Sequence, residues 1–225
     1  MIGQKNVAYN YDKALRLGSN KNYPSLELVR LEAGFFKGKL NDELLEIGFG
    51  SGCNSLHLAK MGYKLTCVDI AKSAKLVTKK KLENSNISKK NYKFKILNHN
   101  YTKLPFKDSS FDFIVCMSVL SLLGSKKKIQ FLLNELNRVL KENGKIILDI
   151  NDHNSEFSKN KKKVSKDVYL FTDGYKNFRC YCPDSLKKFV KIISNFFYVE
   201  DKGYSSFKLL NRRINEWIVC GSKKL

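Results

Sequence analysis

The glycine-rich stretch at residues 43–60, ELLEIGFGSGCNSLHLAK, constrains the fold of this chain more than any other feature. A short apolar run ends at Ile47, glycines then occupy alternate positions from Gly48 to Gly52, and apolar residues resume at helical spacing. Glycine allows backbone angles and close approaches that a Cβ atom forbids. The pattern predicts a buried strand, a tight turn and a helix whose unpaired N–H groups face a ligand above the turn.

The residues around the glycines separate the ligand classes that such a turn can hold. A phosphate-binding loop requires Lys and then Ser or Thr after its last glycine, whereas Cys53 and Asn54 follow Gly52. A dinucleotide-binding fingerprint places its third Gly or Ala where Cys53 stands. The pattern that remains, E-x-G-x-G-x-G beginning at Glu46, resembles the first motif of the class I S-adenosylmethionine-dependent methyltransferases. A purely structural turn is the alternative at this point.

A second acidic residue stands at the end of the next predicted strand. The run at 64–70, KLTCVDI, ends in Asp69 and Ile70, about twenty residues after the glycine turn. A carboxylate in this position can accept two hydrogen bonds from a ribose diol. Capping of the helix that follows is its alternative role. Asp69 therefore favours a ligand that contains adenosine.

Two later segments extend the resemblance. Residues 100–114, NYTKLPFKDSSFDFI, are similar without a gap to the segment G-D-A-x-x-L-P-F-x-D-x-S-F-D-x-V of many class I methyltransferases. Residues 135–150, ELNRVLKENGKIILDI, are similar to the family's E-x-x-R-V-L-K-P-G-G helix, turn and strand. The motifs cover residues 43–150 continuously, and the chain is identified on them as a member of this family.

The family resemblance implies both a fold and a cofactor. The implied fold is α/β and Rossmann-like, with a mostly parallel seven-stranded sheet, helices on both faces and an antiparallel last strand. The implied cofactor is S-adenosylmethionine, with S-adenosylhomocysteine as product, bound beyond the carboxyl ends of the strands. Asn100 stands where the family usually has an Asp, and its amide oxygen can still accept a hydrogen bond from adenine. The implied cofactor-binding residues are Glu46, Gly48, Phe49, Gly50, Gly52, Asp69, Ile70, Asn100, Tyr101, Met117 and Ser118.

The regions outside these motifs are expected to bind the methyl acceptor. Residues 1–40 are predicted to form an N-terminal helical lid that contacts the substrate through Tyr11 and Arg16, with simple packing on the sheet as the alternative. Residues 41–225 are predicted to form the methyltransferase domain, so that the chain is a single domain overall. An acceptor-binding insert is expected at about residues 151–181, including Arg179 and Tyr181.

His153 and Asp152 are the predicted catalytic residues. They follow the fifth predicted strand directly, and imidazole titrates near neutral pH, so this pair can act as a general base. An amine or an acidic hydroxyl acceptor needs no base. The sequence leaves open whether oxygen, nitrogen or carbon is methylated.

The charge of the chain is unusual. It has 42 Lys and Arg against 21 Asp and Glu, a net charge of +21. Such an excess indicates nucleic acid, anionic lipid or an acidic small molecule as partner, although a solvated Lys-rich surface needs no partner. The Lys-dense run at 159–166, together with Arg179, favours a small anionic acceptor.

Composition also bears on compartment and partners. The six cysteines include no C-x-x-C pair, which indicates reduced thiols, a cytoplasmic protein and no metal site. The apolar run at 111–123 is too short to span a bilayer, and the N-terminus lacks the apolar core of a signal peptide, so no membrane association is expected. A monomer or a homodimer is expected.

The sequence thus predicts methyl transfer by in-line displacement to a small anionic acceptor. The candidates are a phosphorylated metabolite, a nucleotide-sugar or a sugar of a surface-polysaccharide pathway, because the N-terminal segment LGSNKNYPSLELVRLE resembles methyltransferases of such pathways. An RNA methyltransferase and a non-catalytic binding protein that keeps the cofactor fold are the alternatives.

Overall fold

The computed structural model describes residues 4–158, 161–173, 176–209 and 212–224. The α-helices are α1 (Lys5–Arg16), α2 (Leu26–Leu31), α3 (Cys53–Lys60), α4 (Lys72–Asn84), α5 (Lys126–Val139) and α6 (Leu186–Ile193). The strands are β1 (Glu43–Ile47), β2 (Lys64–Asp69), β3 (Tyr92–Ile96), β4 (Phe111–Cys116), β5 (Leu140–Asn151), β6 (Lys162–Ser165), β7 (Val168–Asp173), β8 (Lys176–Tyr181), β9 (Phe197–Leu209) and β10 (Arg212–Lys223).

A seven-stranded sheet with the order β3-β2-β1-β4-β5-β10-β9 forms the centre of the molecule. The strands from β3 to β5 in that order are parallel, and β10 runs antiparallel to both β5 and β9. The predicted Rossmann-like fold with an antiparallel last strand is therefore confirmed. Strand order reverses between β1 and β4, and in such sheets ligands bind at the carboxyl ends beside this reversal.

The two faces of the sheet bury separate apolar cores. In β4, Ile114 packs in a core with α5 and α6, whereas Val115 packs in a core with α2, α3 and α4. Successive side chains of a strand point to opposite faces, and a strand covered on both faces needs apolar residues throughout. This explains the nearly continuous apolar run of β4, which holds the carboxyl end of the strand in a fixed position.

A second sheet of three antiparallel strands, β6-β7-β8, follows β5. The sequence analysis described this region as an acceptor-binding insert with a Lys-dense run, so it did not predict the sheet. All four residues of β6 are exposed, and a strand exposed on both faces shows no alternation of apolar and polar residues. Residues 159 and 160 of the Lys-dense run lie outside the described residues.

The N-terminal segment contains two α-helices. Its first helix, α1, packs against α4 and β8, and Asn6 Nδ2 donates a hydrogen bond to the carbonyl of Asn177 (3.1 Å). The second, α2, begins after Ser25, whose side chain caps it by accepting from the Leu28 N–H. A π-helical turn (Glu32–Phe36) then continues the helical apolar pattern. The segment therefore connects the β6-β7-β8 sheet to the main domain.

Several composition-based expectations concern the molecule as a whole. All six cysteines are buried and free. In the described ranges, no group of three or more His, Cys, Asp and Glu side chains is arranged to hold a metal ion. Of the helices in those ranges, none combines the length and the apolar character that spanning a bilayer requires.

An ion pair on α5 holds the LPF segment that follows β3. The Glu135 carboxylate accepts from the Leu104 N–H (2.8 Å), and Arg138 donates to the Leu104 carbonyl (3.0 Å). Arg138 also donates to the Phe106 carbonyl (2.8 Å) and to Asp108 (2.7 Å). The sequence motifs at residues 100–114 and 135–150 therefore form one structural unit. Glu135 and Arg138 of the second motif hydrogen-bond to the backbone of residues 104–106 in the first.

We expect Arg138→Ala to destabilise the protein by about 3 kcal/mol, since it leaves Glu135 and two backbone carbonyls without their partner. Urea unfolding measures the change. Arg16→Ala is the control, because the pair of Arg16 with Asp12 is exposed and should contribute less than about 1 kcal/mol. Equal, small losses of unfolding free energy in the two variants would show that the ion pair of Glu135 and Arg138 does not stabilise the fold.

Candidate active site

The glycine turn joins β1 to α3 with three glycines in the left-handed region of backbone space. Their φ values are 78° at Gly48, 49° at Gly50 and 76° at Gly52. A Cβ atom at Gly48 would overlap Val119, and one at Gly52 would overlap Thr78, whereas one at Gly50 would meet no atom within 4 Å. Gly48 and Gly52 therefore permit close packing, and Gly50 borders open space.

Asp69 ties the end of β2 to this turn. One carboxylate oxygen accepts from the Gly50 N–H (2.9 Å), and the other accepts from the N–H groups of Ile70 (2.7 Å) and Ala71 (2.8 Å). Burial raises the pKa of Asp69 despite these bonds. The oxygen facing Gly50 makes only one of these hydrogen bonds, so it can accept another from a ligand.

Two tyrosines lie near the Asp69 carboxylate. Tyr11 belongs to α1, and Tyr101 follows β3. Burial is the main cause that raises the pKa of each hydroxyl, and the negative charge of Asp69 contributes to both. Tyr11 is still 37% exposed, which fits a side chain at the rim of a crevice. The structure thus brings Tyr11, Tyr101, Asp69 and Gly50 to one place, although they are distant in sequence.

The loop after β4 forms the opposite wall. Met117 is buried, whereas Ser118 is exposed and has a φ of 58°, a conformation that non-glycine residues seldom adopt. The Ser118 N–H donates to Oδ1 of Asp149 (2.6 Å), which is a residue of β5. The sequence analysis did not select Asp149, although an acid within the apolar run IILDI is a visible signal.

Comparison with known proteins agrees with this geometry. Residues 45–148 match the family model described as a methyltransferase domain. A sterol 4-C-methyltransferase of Caenorhabditis elegans is 32% identical over 129 residues, which are 57% of this chain and 37% of that protein. A solved S-adenosylmethionine-dependent methyltransferase of Methanosarcina mazei has a TM-score of 0.71 at 24% identity, over 84% of this chain and 95% of its own.

Residues 45–148 therefore carry a methyltransferase domain, and the chain has the fold of the solved S-adenosylmethionine-dependent methyltransferase. A further structure with this fold is the N-methyltransferase NodS from Bradyrhizobium japonicum, solved with S-adenosyl-L-homocysteine. It has a TM-score of 0.67 at 13% identity, over 98% of this chain and 100% of its own. This chain spans little more than a third of the length of the sterol methyltransferase, 37%.

The methyltransferase domain places Glu46 beneath the glycine turn. Its carboxylate is 2% exposed and accepts from the Ser55 hydroxyl and, at 3.9 Å, from the Cys67 thiol. Burial raises the pKa of Glu46 to about 7, and the Ser55 hydrogen bond lowers it only in part. Glu46 therefore contacts the helix behind the turn.

Three other residues of the methyltransferase domain have an implied cofactor role. Phe49 is 4% exposed, and its ring lies 5.3 Å from that of Phe94. Asn100 is exposed at the mouth of a cavity of about 700 Å³, which Lys127 and Phe131 also line. Ile70 packs partly buried beside the β6-β7-β8 sheet.

The predicted catalytic pair lies directly after the end of β5. Asp152 is 2% exposed, and its carboxylate accepts from the Asn154 N–H (2.7 Å). The backbone N–H of His153 donates to the Pro183 carbonyl (3.2 Å), and Nε2 of its ring lies 3.0 Å from Asn154 Nδ2. The buried Nδ1 has no hydrogen-bond partner among the described residues. Their side chains are fixed by contacts with the loop after β5.

The predicted substrate-binding residues of the methyltransferase domain do not converge. Arg16 pairs with Asp12 (3.1 Å) on the surface of α1. Arg179 is exposed beside a cavity of about 350 Å³. The Tyr181 hydroxyl faces Asp167 at 3.5 Å, and its ring packs in the core with α6. Of the four, only Tyr11 lies near Asp69.

The buried Glu46 makes stability depend on pH. An unfolded glutamate ionises near 4.5, whereas folded Glu46 ionises near 7. The contribution of Glu46 to the free energy of unfolding is therefore fully present below the pKa of the unfolded glutamate. It is lost as the pH rises through the pKa of the folded Glu46, and the total loss is about 3 kcal/mol.

We expect Glu46→Gln to match the parent protein at about pH 5 and to be more stable at about pH 8, because the amide cannot ionise and still accepts from Ser55. Thermal melts across this range measure the difference. The exposed Glu142→Gln serves as control and should follow the parent at every pH. An unchanged pH dependence in Glu46→Gln would contradict the assignment.

Proposed function

We propose that this protein transfers the methyl group of S-adenosylmethionine to a small acceptor molecule. The observation that carries the proposal is the open space beside Gly50, bordered by the Asp69 carboxylate on one side and the Ser118 loop on the other. This arrangement fits a ligand with a ribose diol near Asp69 and an amino acid end near the turn. The bound sulfonium supplies a methyl group that is already activated for transfer.

The residues of the chain then position the two reactants. The free acceptor capacity of Asp69 receives the ribose hydroxyls, and Tyr101 and Ile70 flank the adenine. Tyr11 of α1 covers the crevice and limits the entry of water, which strengthens electrostatic interactions inside. Such a site accelerates the reaction mainly by holding the acceptor in line with the methyl group.

The finer part of the proposal is an anionic acceptor, such as a phosphorylated metabolite, a nucleotide-sugar or a sugar of a surface-polysaccharide pathway. It is supported by Lys128 and Arg179, which line the cavity of about 350 Å³ at the start of α5. Burial and then the charge of Arg179 lower the pKa of Lys128, so the two cations act on each other. Two close cations favour a phosphate or carboxylate between them.

For a hydroxyl acceptor, proton removal is assigned to His153 and Asp152 in this proposal. The partnerless Nδ1 of His153 supports the assignment, because a buried imidazole nitrogen without a partner can exchange a proton with a bound group. The pair lies at the end of β5, on the edge of the sheet where acceptors bind. Movement of the loop after β5 would be needed to turn the imidazole toward the crevice.

RNA is the second candidate acceptor, and the net charge of +21 favours it. A positively charged surface that binds RNA predicts an affinity for RNA that falls steeply as the salt concentration rises. Filter binding with transfer RNA at several salt concentrations tests this alternative. Absence of binding at low salt removes it and leaves the small-molecule acceptor.

We expect isothermal calorimetry to show micromolar binding of S-adenosylmethionine to the native protein and none to Asp69→Ala, which loses the ribose acceptor and the tie to Gly50. Asp42→Ala is the matched control, since Asp42 also accepts a backbone N–H, that of Lys39 (2.7 Å), but before the amino end of β1. A native protein that does not bind the cofactor would overturn the proposed function.

We expect Gly50→Ala to weaken cofactor binding at least about ten-fold, because its methyl group enters the space assigned to the ligand. Alanine at a positive φ also costs about 1 kcal/mol of stability. Gly18→Ala controls for this cost, as Gly18 has a φ of 87° and equal room for a Cβ atom. Equal affinities of the two variants would place the cofactor elsewhere.

A further inference from the structure

Three strands carry a row of polar residues at the carboxyl end of β5. Asn151 of β5 lies opposite Glu216 of β10, and Glu216 lies opposite Ser205 of β9. Asn151 Nδ2 donates to Oε1 of Glu216 (3.4 Å). The row continues the edge of the sheet that holds the crevice.

A second acidic residue covers this row from α2. Glu27 accepts from the Ser205 hydroxyl (2.6 Å) and from the Ser25 hydroxyl (2.8 Å). The Ser25 N–H in turn donates to Oδ1 of Asn54 (2.9 Å), which lies in the first turn of α3. This hydrogen bond holds the start of α2 beside the glycine turn. The same segment therefore covers both the row of polar residues and the crevice.

Asp149 is the innermost acid of this group. It is 1% exposed, and its Oδ1 accepts from the Ser118 N–H, while its Oδ2 has no hydrogen-bond partner in the part of the chain that the structure describes. A buried carboxylate oxygen without a partner costs free energy unless a ligand satisfies it. Asp149 lies two residues before Asn151, and strand side chains repeat with a period of two, so both face the same side.

The carboxylates repel one another, and one lysine offsets them in part. Burial and then Glu216 raise the pKa of Asp149. Burial and then Glu27 raise the pKa of Glu216 to about 7. The positive charge of Lys21 lowers both pKa values without reversing either shift. A cation from outside the chain would relieve this repulsion.

From this placement we infer that the acceptor is an amine, whose nitrogen binds between Oδ2 of Asp149 and the carboxylate of Glu216 beside the Ser118 loop. The inference rests on the proposed function and narrows it to N-methylation. An anionic group elsewhere on the same acceptor, near Lys128 and Arg179, is compatible with it. Carboxylates are suited to this role because they accept hydrogen bonds from each N–H of an ammonium group.

The acids also provide the route for the proton. The bound ammonium gives one proton to Glu216, and its nitrogen regains a lone pair. That lone pair forms the N–C bond as the C–S bond breaks with its electrons left on sulfur. The products are the methylated ammonium and neutral S-adenosylhomocysteine, and the proton on Glu216 then passes to water. Asp149 holds the nitrogen in line, and His153 is not needed in this step.

Sinefungin tests the inference without knowledge of the natural acceptor, because it carries an ammonium group in place of the transferred methyl group, on a carbon atom that replaces the sulfonium sulfur of S-adenosylmethionine. S-adenosylhomocysteine has no charge at that position and has the same amino acid end. We expect calorimetry to show that the native protein binds sinefungin at least about ten-fold more tightly than S-adenosylhomocysteine. This preference should fall to about two-fold or less in Asp149→Asn and in Glu216→Gln.

Both variants keep the side-chain size and an oxygen that can accept, so the Ser118 contact and the fold are retained; thermal melts check this. Glu142→Gln is the control and should keep the full preference. An unaltered preference in Asp149→Asn and Glu216→Gln overturns the inference. An equal loss of affinity for both ligands also overturns it, since the acids would then hold the amino group of the cofactor itself. A native protein that binds neither ligand refutes the proposed function instead.

A second experiment identifies the methylated atom. It measures turnover with pairs of acceptors in which one member has an amine where the other has a hydroxyl group. The pairs are glucosamine with glucose and ethanolamine with ethylene glycol, each also as the phosphate ester. Formation of S-adenosylhomocysteine with an amine and not with its hydroxyl partner supports the inference. Turnover of a hydroxyl compound whose amine partner is inert contradicts it.

Discussion

The contact between Asp69 and the Gly50 N–H is the interaction on which the rest of the site depends. It joins the end of β2 to the turn after β1, two elements that the parallel sheet places side by side. The same carboxylate holds the N–H groups of Ile70 and Ala71, so it also shapes the entry to α4. The side chain of Asp69 thereby fixes the backbone segments that form the base of the crevice. It can do so at modest cost because backbone N–H groups compensate for the water that the carboxylate loses.

The charge of the protein is divided between its surface and its interior. The surface carries the excess of lysine behind the net charge of +21, whereas the crevice and its surroundings contain Glu46, Asp69, Asp149 and Glu216. Burial raises the pKa of each of these acids. Buried acids of this kind gather at functional sites, where their cost is offset by binding. The net positive charge therefore describes the exterior of this molecule. The buried charged groups in and around the crevice are acidic instead.

Much of the fold could be predicted from local patterns. The glycine turn, the apolar β4 and the spacing of α5 each depend on residues close in sequence, and strand order followed from the family motifs. The β6-β7-β8 sheet was not predicted, because β6 is exposed throughout and its lysines carry no strand pattern. Asp69 and Tyr101, which were predicted to bind the cofactor, lie near each other at one crevice, whereas Arg16 and Tyr181, which were predicted to bind the substrate, have partners elsewhere. Such partners depend on packing between distant segments, which a single sequence does not display.

By itself the sequence determined that this chain has a methyltransferase domain and where its glycine turn lies, because a strand, a tight turn and a helix are encoded by neighbouring residues. Only the tertiary structure decided which acidic side chains lie together beside the crevice. Asp149, Glu216 and Glu27 come from β5, β10 and α2, and no spacing in the sequence links them. The antiparallel pairing of β10 with β5 and β9 and the fastening of α2 to Asn54 bring them together. Their common position is a property of folding, since each is held there by contacts with distant parts of the chain.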